Sequence, residues 1–185
     1  MSVMTDPDRL LTMQDWEALP EDTSQRTEVV EGNRVFSPPP GGSHQRVSKK
    51  LAWQLDHQLP DELEAMQDVG VVLAEKPWPS IRIPDIVIIR KALTDAGFTK
   101  VAVAEVRLAV EIISPGSGVI DRKHKFGEYA DAGIEHYWIV DLDSPASIEA
   151  YMLIDGHYEL NMETAEVLTV SSPVPLRIDV RALLT

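Results

Sequence analysis

Two carboxylates in this chain stand where carboxylates are costly. Glu111 lies inside the run Leu108-Ala109-Val110-Glu111-Ile112-Ile113, and Asp85 follows Pro84 and precedes the apolar run Ile86 to Ile89. Both runs read as strands buried on both faces. An unpaired anion in such a setting costs several kcal/mol unless it is neutralised or holds a cation. Two acids converging from neighbouring strands make an oxygen site of the kind that suits Mg²⁺ or Mn²⁺. A lysine beside them completes a hydrolytic set, since the metal activates a water and clamps phosphate oxygens while the ammonium offsets charge gathering in the transition state. Lys125 is the candidate, because the helix that opens at Asp121 follows directly on the Glu111 strand; Lys123 is the reserve. The chemistry indicated is metal-assisted hydrolysis of a phosphodiester.

Each of these residues also has a plainer reading. Asp85 can be a turn acid after a proline, Glu111 can be held by an arginine such as Arg107 or Arg82, and Lys125 can form an exposed pair with Asp121 one turn away. Glu28 and Glu31 fall on opposite faces of one strand, so at most one reaches a shared site. His44, at a helix start, either meets substrate or is simply exposed. Trp53, Trp138, Tyr129 and Tyr137 sit in apolar runs and read as core or interface. Other chemistries find no support: there is no P-loop string, no HExxH and no G-x-S-x-G elbow, and the five histidines are never spaced as a ligand pair. Gly116-Ser117-Gly118 follows a strand as a dinucleotide loop would, but Asp121 takes the place of the third glycine.

The elements that must position these groups follow from periodicity. Thr12 with Asp15 caps a short helix to Leu19, which Pro20 stops. Strands over Thr27 to Glu31 and Arg34 to Phe36 flank a hairpin turn placed at Gly32-Asn33. Val47, Leu51 and Leu55 give an amphipathic helix over Ser43 to Leu59, capped by Ser43. Strands follow at Val69 to Glu75, Ile81 to Ile89 and Arg107 to Ser114, the last closed by Pro115-Gly116-Ser117-Gly118. A helix over Asp121 to Ala132 ends at Gly133, and a strand comes at Tyr137 to Val140. A hairpin over Ile148 to Ile154 and His157 to Leu160 turns at Asp155-Gly156, a strand lies near Glu166 to Val170, and a short helix starts at Asp179. The order predicts an α/β domain around a mixed sheet.

Length and charge bound the rest. The 185 residues, 44% hydrophobic and 25% charged, fit one soluble domain, and the first residues carry acids with no basic stretch before an apolar run, so no export signal is expected. Zero cysteines exclude disulfides and thiolate chemistry and fit a reducing cytoplasm. The net charge of -13 opposes non-specific attraction to polyanions, so a nucleic acid would need a local basic patch. Arg46, Lys49 and Lys50, with Arg122, Lys123 and Lys125, are the two clusters able to supply one.

Pro84-Asp85, then Glu111 in the frame VEIISP, then Asp121 and Lys125 in DRKHKFGEYADAGIEHYWIVD, resemble the Uma2 family of the PD-(D/E)XK nuclease superfamily. The likeness runs from about Thr12 to Leu160 and includes the early string TEVVEGNRV and His44 at the start of the first long helix. It implies a restriction-endonuclease-like core, a mixed β-sheet flanked by helices, over one domain spanning 1–185. It implies a metal-dependent DNA endonuclease using Mg²⁺ (or Mn²⁺), with Asp85 and Glu111 as metal ligands, Glu28 as a further acid near the metal and Lys125 as the catalytic lysine. One departure stands out: the superfamily lysine usually lies two residues after the second acid, where this chain has Ile113. A homodimer is expected by fold-level analogy with nucleases that cut both strands, and no membrane association is expected. The rival expectation is a catalytically silent nuclease-fold module serving protein interaction or dimerisation, which the acidic charge favours. A third is a metal hydrolase acting on a smaller or less anionic phosphodiester.

Overall fold

The structure, a computed structural model, describes residues 10–19, 26–113, 121–143 and 145–185, with the side chains of Asp121 and Arg122 excepted. The breaker string Pro115 to Gly118 and the dinucleotide-loop reading of it lie outside the described residues. Among the described residues no helix is long and apolar enough to cross a membrane.

Two mixed sheets and flanking helices form the architecture. The larger sheet has the order β11-β10-β9-β8-β6-β3, from β11 (His157–Thr164), β10 (Ser147–Ile154), β9 (His136–Asp141), β8 (Leu108–Ile113), β6 (Ile86–Arg90) and β3 (Leu63–Gln67). β8 and β9 run parallel, as a crossover through a helix requires, and the other neighbours are antiparallel. The smaller sheet has the order β2-β1-β5-β4-β7, from β2 (Asn33–Ser37), β1 (Arg26–Val30), β5 (Ser80–Arg82), β4 (Gly70–Ala74) and β7 (Lys100–Ala102). A separate pair joins β12 (Val167–Val170) and β13 (Leu176–Asp179).

Strand alternation divides the large sheet into two packed faces. Ile86, Ile88, Leu108, Val110, Ile112, Trp138 and Val140 meet Val47, Leu51 and Leu55 of α2 (Gly42–Asp56), together with β12, β13 and α5 (Val180–Leu184). Val87, Ile89, Ala109, Ile113, Tyr137 and Ile139 face the other way, against Val71 of β4 and Tyr129 of α4 (Phe126–Asp131). By the same alternation Glu111 belongs to this second face, toward α4, while Asp85 stands just before β6 at the sheet corner.

Two of the chain's passages between the sheets lie side by side, with the Asp68 N–H directed at the Asp85 carbonyl. β3 leads into β4 through Asp68, whose φ is 55°, and β5 leads into β6 through Ile83-Pro84-Asp85. The apolar run Ile81 to Ile89, read from sequence as one strand, is thus two short strands in different sheets. Pro84 lacks the N–H that a continuous ladder would use, and the break falls there. The hairpin turn is Glu31-Gly32, with φ of 48° and 79°, and Asn33 already begins β2, one residue earlier than the sequence reading placed it. α2 is capped by Gly41 with no side-chain bond, so Ser43 lies inside the helix. β3, α3 (Lys91–Ala96), β7 and β13 were not expected from sequence; they are short, and half-exposed or set in polar stretches. The capping box of Thr12 and Asp15 on α1 (Met13–Glu17) and the Asp155-Gly156 turn agree with the sequence reading.

Gly133, with φ 83°, closes α4 as expected: its N–H bonds to the Ala130 carbonyl and the next N–H, of Ile134, to the Tyr129 carbonyl, both at 3.0 Å. A β-carbon at Gly133 would meet nothing within 4 Å, so only backbone strain opposes substitution. Gly133→Ala should therefore lower stability by about 1–2 kcal/mol, as read by urea denaturation, with no change in the cooperativity of unfolding.

Candidate active site

The two sheet-crossing corners leave backbone groups without sheet partners, and side chains take their place. At the Asp85 corner the Ile83 N–H donates to Glu28 Oε1 at 2.8 Å, and the Ile83 carbonyl accepts from Arg26 Nη2. Arg26 and Glu28 are two apart on β1 and so share a face. The same arginine donates through Nη1 to Asp85 Oδ1 at 2.8 Å. Strand β1 thus clamps the corner that carries Asp85.

Asp85 and Glu111 come together. The Asp85 N–H donates to the Val110 carbonyl at 3.0 Å, and Asp85 Oδ2 accepts from the Ile112 N–H at 2.7 Å, so Asp85 is bonded to both residues flanking Glu111. His44, three residues into α2 from its cap, places Nε2 3.0 Å from the same Oδ2. It is buried rather than exposed, and its Nδ1 has no hydrogen-bond partner.

Lys125 and Tyr129 bracket Glu111. A π-helical turn, Asp121–Lys125, runs into α4, and the four-residue spacing sets both side chains on one face. Lys125 Nζ lies 2.9 Å from Glu111 Oε2 and 3.8 Å from Glu28 Oε1, and the Tyr129 hydroxyl donates to Glu111 Oε1 at 2.7 Å. Lys125 is buried in this cluster, whereas Lys123 is exposed. The alternative pairing of Glu111 with Arg107 or Arg82 does not occur. Arg107 is exposed, and Arg82 is fully engaged elsewhere: Nη1 donates to Glu28 Oε2 at 2.9 Å, while Nε and Nη2 form a fork on Glu128 at 2.6 and 2.7 Å. Trp138, Tyr129 and Tyr137 are core residues, but Trp53 is 61% exposed, its ring centroid 4.1 Å from that of His57.

Burial and charge act on these acids in opposite directions. For Asp85, burial works to raise the pKa, but the His44 hydrogen bond and Arg26 hold it well below the usual carboxylate range. For Glu28, burial is again outweighed, here by Lys125 and Arg82 with help from the Ile83 N–H, and the result is lowered. Glu111 goes the other way. Burial pushes it up to about 7 against the attraction of Lys125, with Asp85 and Glu28 adding to the rise. Burial works to lower His44, yet its bond to Asp85 leaves it raised. Burial and the neighbouring carboxylates push the Tyr129 phenol well up, so it stays a donor.

Asp85 and Glu111 are hard oxygen donors of the type that Mg²⁺ and Mn²⁺ select, and a cation there would offset the burial that opposes the charged form of Glu111. The donor set fits such an ion. It is not a finished cage: among the described residues no three acidic or imidazole groups are grouped for metal binding, so water would complete the shell. Sequence reasoning did not single out Arg26, Tyr129 or Glu128 for the site. Arg26 was findable as the residue two before Glu28, and Tyr129 as the residue four after Lys125.

The mixed sheets, the parallel β8–β9 crossover and acids gathered at a sheet junction define the restriction-endonuclease-like class of fold. A solved structure described as "a putative nuclease belonging to DUF820", from Anabaena variabilis ATCC 29413, superposes with a TM-score of 0.69 over 94% of this chain and 97% of that chain at 18% identity, a likeness of fold. Over residues 13–181 the sequence matches the Uma2 family, described as "Putative restriction endonuclease", and the chain belongs to that family. No curated protein matches it significantly. Family and fold together support a nuclease.

The pKa directions set a stability profile. Glu111 is raised, so its stabilising contribution is present below the ordinary value of 4.5 and is lost as pH rises through about 7. Asp85 and Glu28 are lowered, so theirs is present above the ordinary carboxylate range and is lost on acidification. Without divalent metal, thermal melts should show Glu111→Gln losing less stability than the unsubstituted protein between about pH 5 and 7.5. Parallel profiles for the two proteins over that window would contradict the assignment.

Proposed function

We propose that this chain is a Mg²⁺- or Mn²⁺-dependent endonuclease that hydrolyses DNA phosphodiester bonds, folded as one nuclease-like domain over residues 1–185. The observation that carries the reading is the meeting of Asp85 and Glu111 at one buried point with Lys125 2.9 Å from Glu111. Asp85 and Glu111 would hold the metal, with Glu28 as a further acid facing Lys125. When bound, the metal supplies an acidified water and a clamp on the phosphate oxygens. The remaining work falls to side chains. Ile112 N–H and His44 fix one oxygen of Asp85, and Tyr129 fixes one oxygen of Glu111, so neither carboxylate has to reorganise. Lys125, anchored between Glu111 and Glu28, would set positive charge against the charge that grows on the scissile phosphate. Arriving from the helix after the strand, it takes the role that Ile113 cannot. Exposed Arg46, Lys49 and Lys123, on the elements that also carry His44 and Lys125, would meet the phosphate backbone. We read the chain as a cytoplasmic homodimer by analogy with nucleases that cut both strands, which sedimentation would test.

One observation favours the rival reading of a silent nuclease-fold module: both oxygens of Asp85, Glu28 and Glu111 already accept from protein donors. Metal binding separates the two. An ion that binds only the folded chain raises its melting temperature, and a silent module shows no such rise.

Purified protein with Mg²⁺ or Mn²⁺ is expected to cleave plasmid or single-stranded DNA, and Asp85→Asn and Glu111→Gln to lose both cleavage and the metal-dependent rise in melting temperature. Lys125→Met should retain metal binding while its cleavage rate falls about 10²–10³-fold. Undiminished cleavage in all three variants would remove these residues from the mechanism. Comparing duplex, single-stranded and small phosphodiester substrates fixes the substrate class.

A further inference from the structure

We propose that Arg26 is the substrate-phosphate residue of this site, parked on Asp85 while no metal is bound and released to the scissile phosphate when metal takes that oxygen. The inference rests on the metal-dependent reading above and deepens it.

The two arginines of the cluster differ in how they are held. Arg82 spends all three of its nitrogens on Glu28 and Glu128, with a bidentate fork on the latter, and its side chain is 8% exposed. Arg26 bonds Asp85 Oδ1 through Nη1 and the Ile83 carbonyl through Nη2, and its Nε is buried with no hydrogen-bond partner. Its side chain is 17% exposed, and its remaining ionic neighbour, Asp68 at 3.6 Å, is 65% exposed at the rim. Arg82 is tied into the fold, while Arg26 is attached at fewer points and closer to solvent.

Charge balance gives the exchange its direction. Arg26, Arg82 and Lys125 stand among four carboxyl groups, Asp85, Glu28, Glu111 and Glu128, and Arg26 is the one bonded to Asp85. A divalent cation at Asp85 Oδ1 would stand directly against the Arg26 guanidinium, and the two repel. A phosphodiester brings one negative charge and a pair of oxygens matched to a guanidinium fork, so substrate supplies the partner that Arg26 loses. Metal and substrate then bind cooperatively, because each removes an obstacle to the other.

Titration calorimetry with Mn²⁺ alone tests this on the full chain. Arg26→Gln is expected to bind Mn²⁺ about tenfold more tightly than the unsubstituted protein. The same variant should bind a short fluorescent DNA duplex in Ca²⁺ about tenfold more weakly, with Arg26→Lys restoring part of the loss. A merely structural Arg26 predicts the opposite for metal, since a disordered Asp85 would bind it less well. Mn²⁺ affinity in Arg26→Gln equal to or below that of the unsubstituted protein, with Asp85→Asn abolishing binding, overturns the Arg26 assignment and leaves the metal site standing. Absence of Mn²⁺ binding in every protein overturns the metal reading and this inference with it. Should Arg26→Gln fail to fold, Mg²⁺ titration of the unsubstituted protein followed by side-chain ¹⁵N resonances decides. The Arg26 Nε–H signal is expected to move on saturation, and an unmoved signal overturns the proposal.

Discussion

The cost of burying carboxylates governs this molecule. Asp85, Glu28 and Glu111 all lie in the interior with less than a twentieth of their surface exposed, and an anion so placed survives only with donors on its oxygens. Those donors come from every element around the sheet junction: Arg26 on β1, Arg82 on β5, Ile112 N–H on β8, His44 on α2, and Lys125 and Tyr129 leading into and on α4. The acids are therefore the hub through which two sheets and two helices are registered against one another.

The backbone makes the same junction necessary. A chain that leaves one sheet for the other strands its N–H and carbonyl groups at the corner, and at Ile83 both are satisfied by side chains of β1. Glu28 and Arg26 hence act as surrogate strand partners as well as charges. Such double use links site and fold: truncating either residue frees a buried charge and a backbone group together. Conservative changes such as carboxylate to amide are the ones able to separate chemistry from folding, since they keep volume and one acceptor oxygen.

Much of the site was legible because period and cost are both written in the sequence. An acid inside Leu108 to Ile113 announces a partner, a proline before Asp85 announces a break, and the glycine at 133 sets where the helix bearing Lys125 and Tyr129 must end. The partners themselves were less legible. Which arginine meets which acid depends on two strands lying in different sheets, and Ile81 to Ile89 gives no apolar-pattern sign of changing sheet apart from Pro84. Misreading that run as one strand hides Arg82 from Glu28 and the corner from Arg26. His44 was misjudged as exposed for a related reason: its burial comes from contact with Asp85, a residue of another element, and nothing in its own neighbours Ser43, Gln45 and Arg46 reports it. The short elements β3, β7 and α3 carry too few residues for periodicity to speak.

The overall charge of -13 is compatible with a polyanionic substrate only because electrostatics in salt water is local. At physiological ionic strength exposed charges more than about 8 Å apart hardly feel one another, so the total charge does not by itself set the field along α2 and α4. There the described exposed charges include Arg46, Lys49 and Lys123. On the proposed reading these cations would hold a phosphate backbone locally, in competition with exposed Asp68 beside Arg26 and exposed Asp131 on α4. On the proposed reading metal and phosphate favour one another at this junction, since the metal takes the oxygen of Asp85 that Arg26 gives up and the phosphate takes the guanidinium that Asp85 gives up.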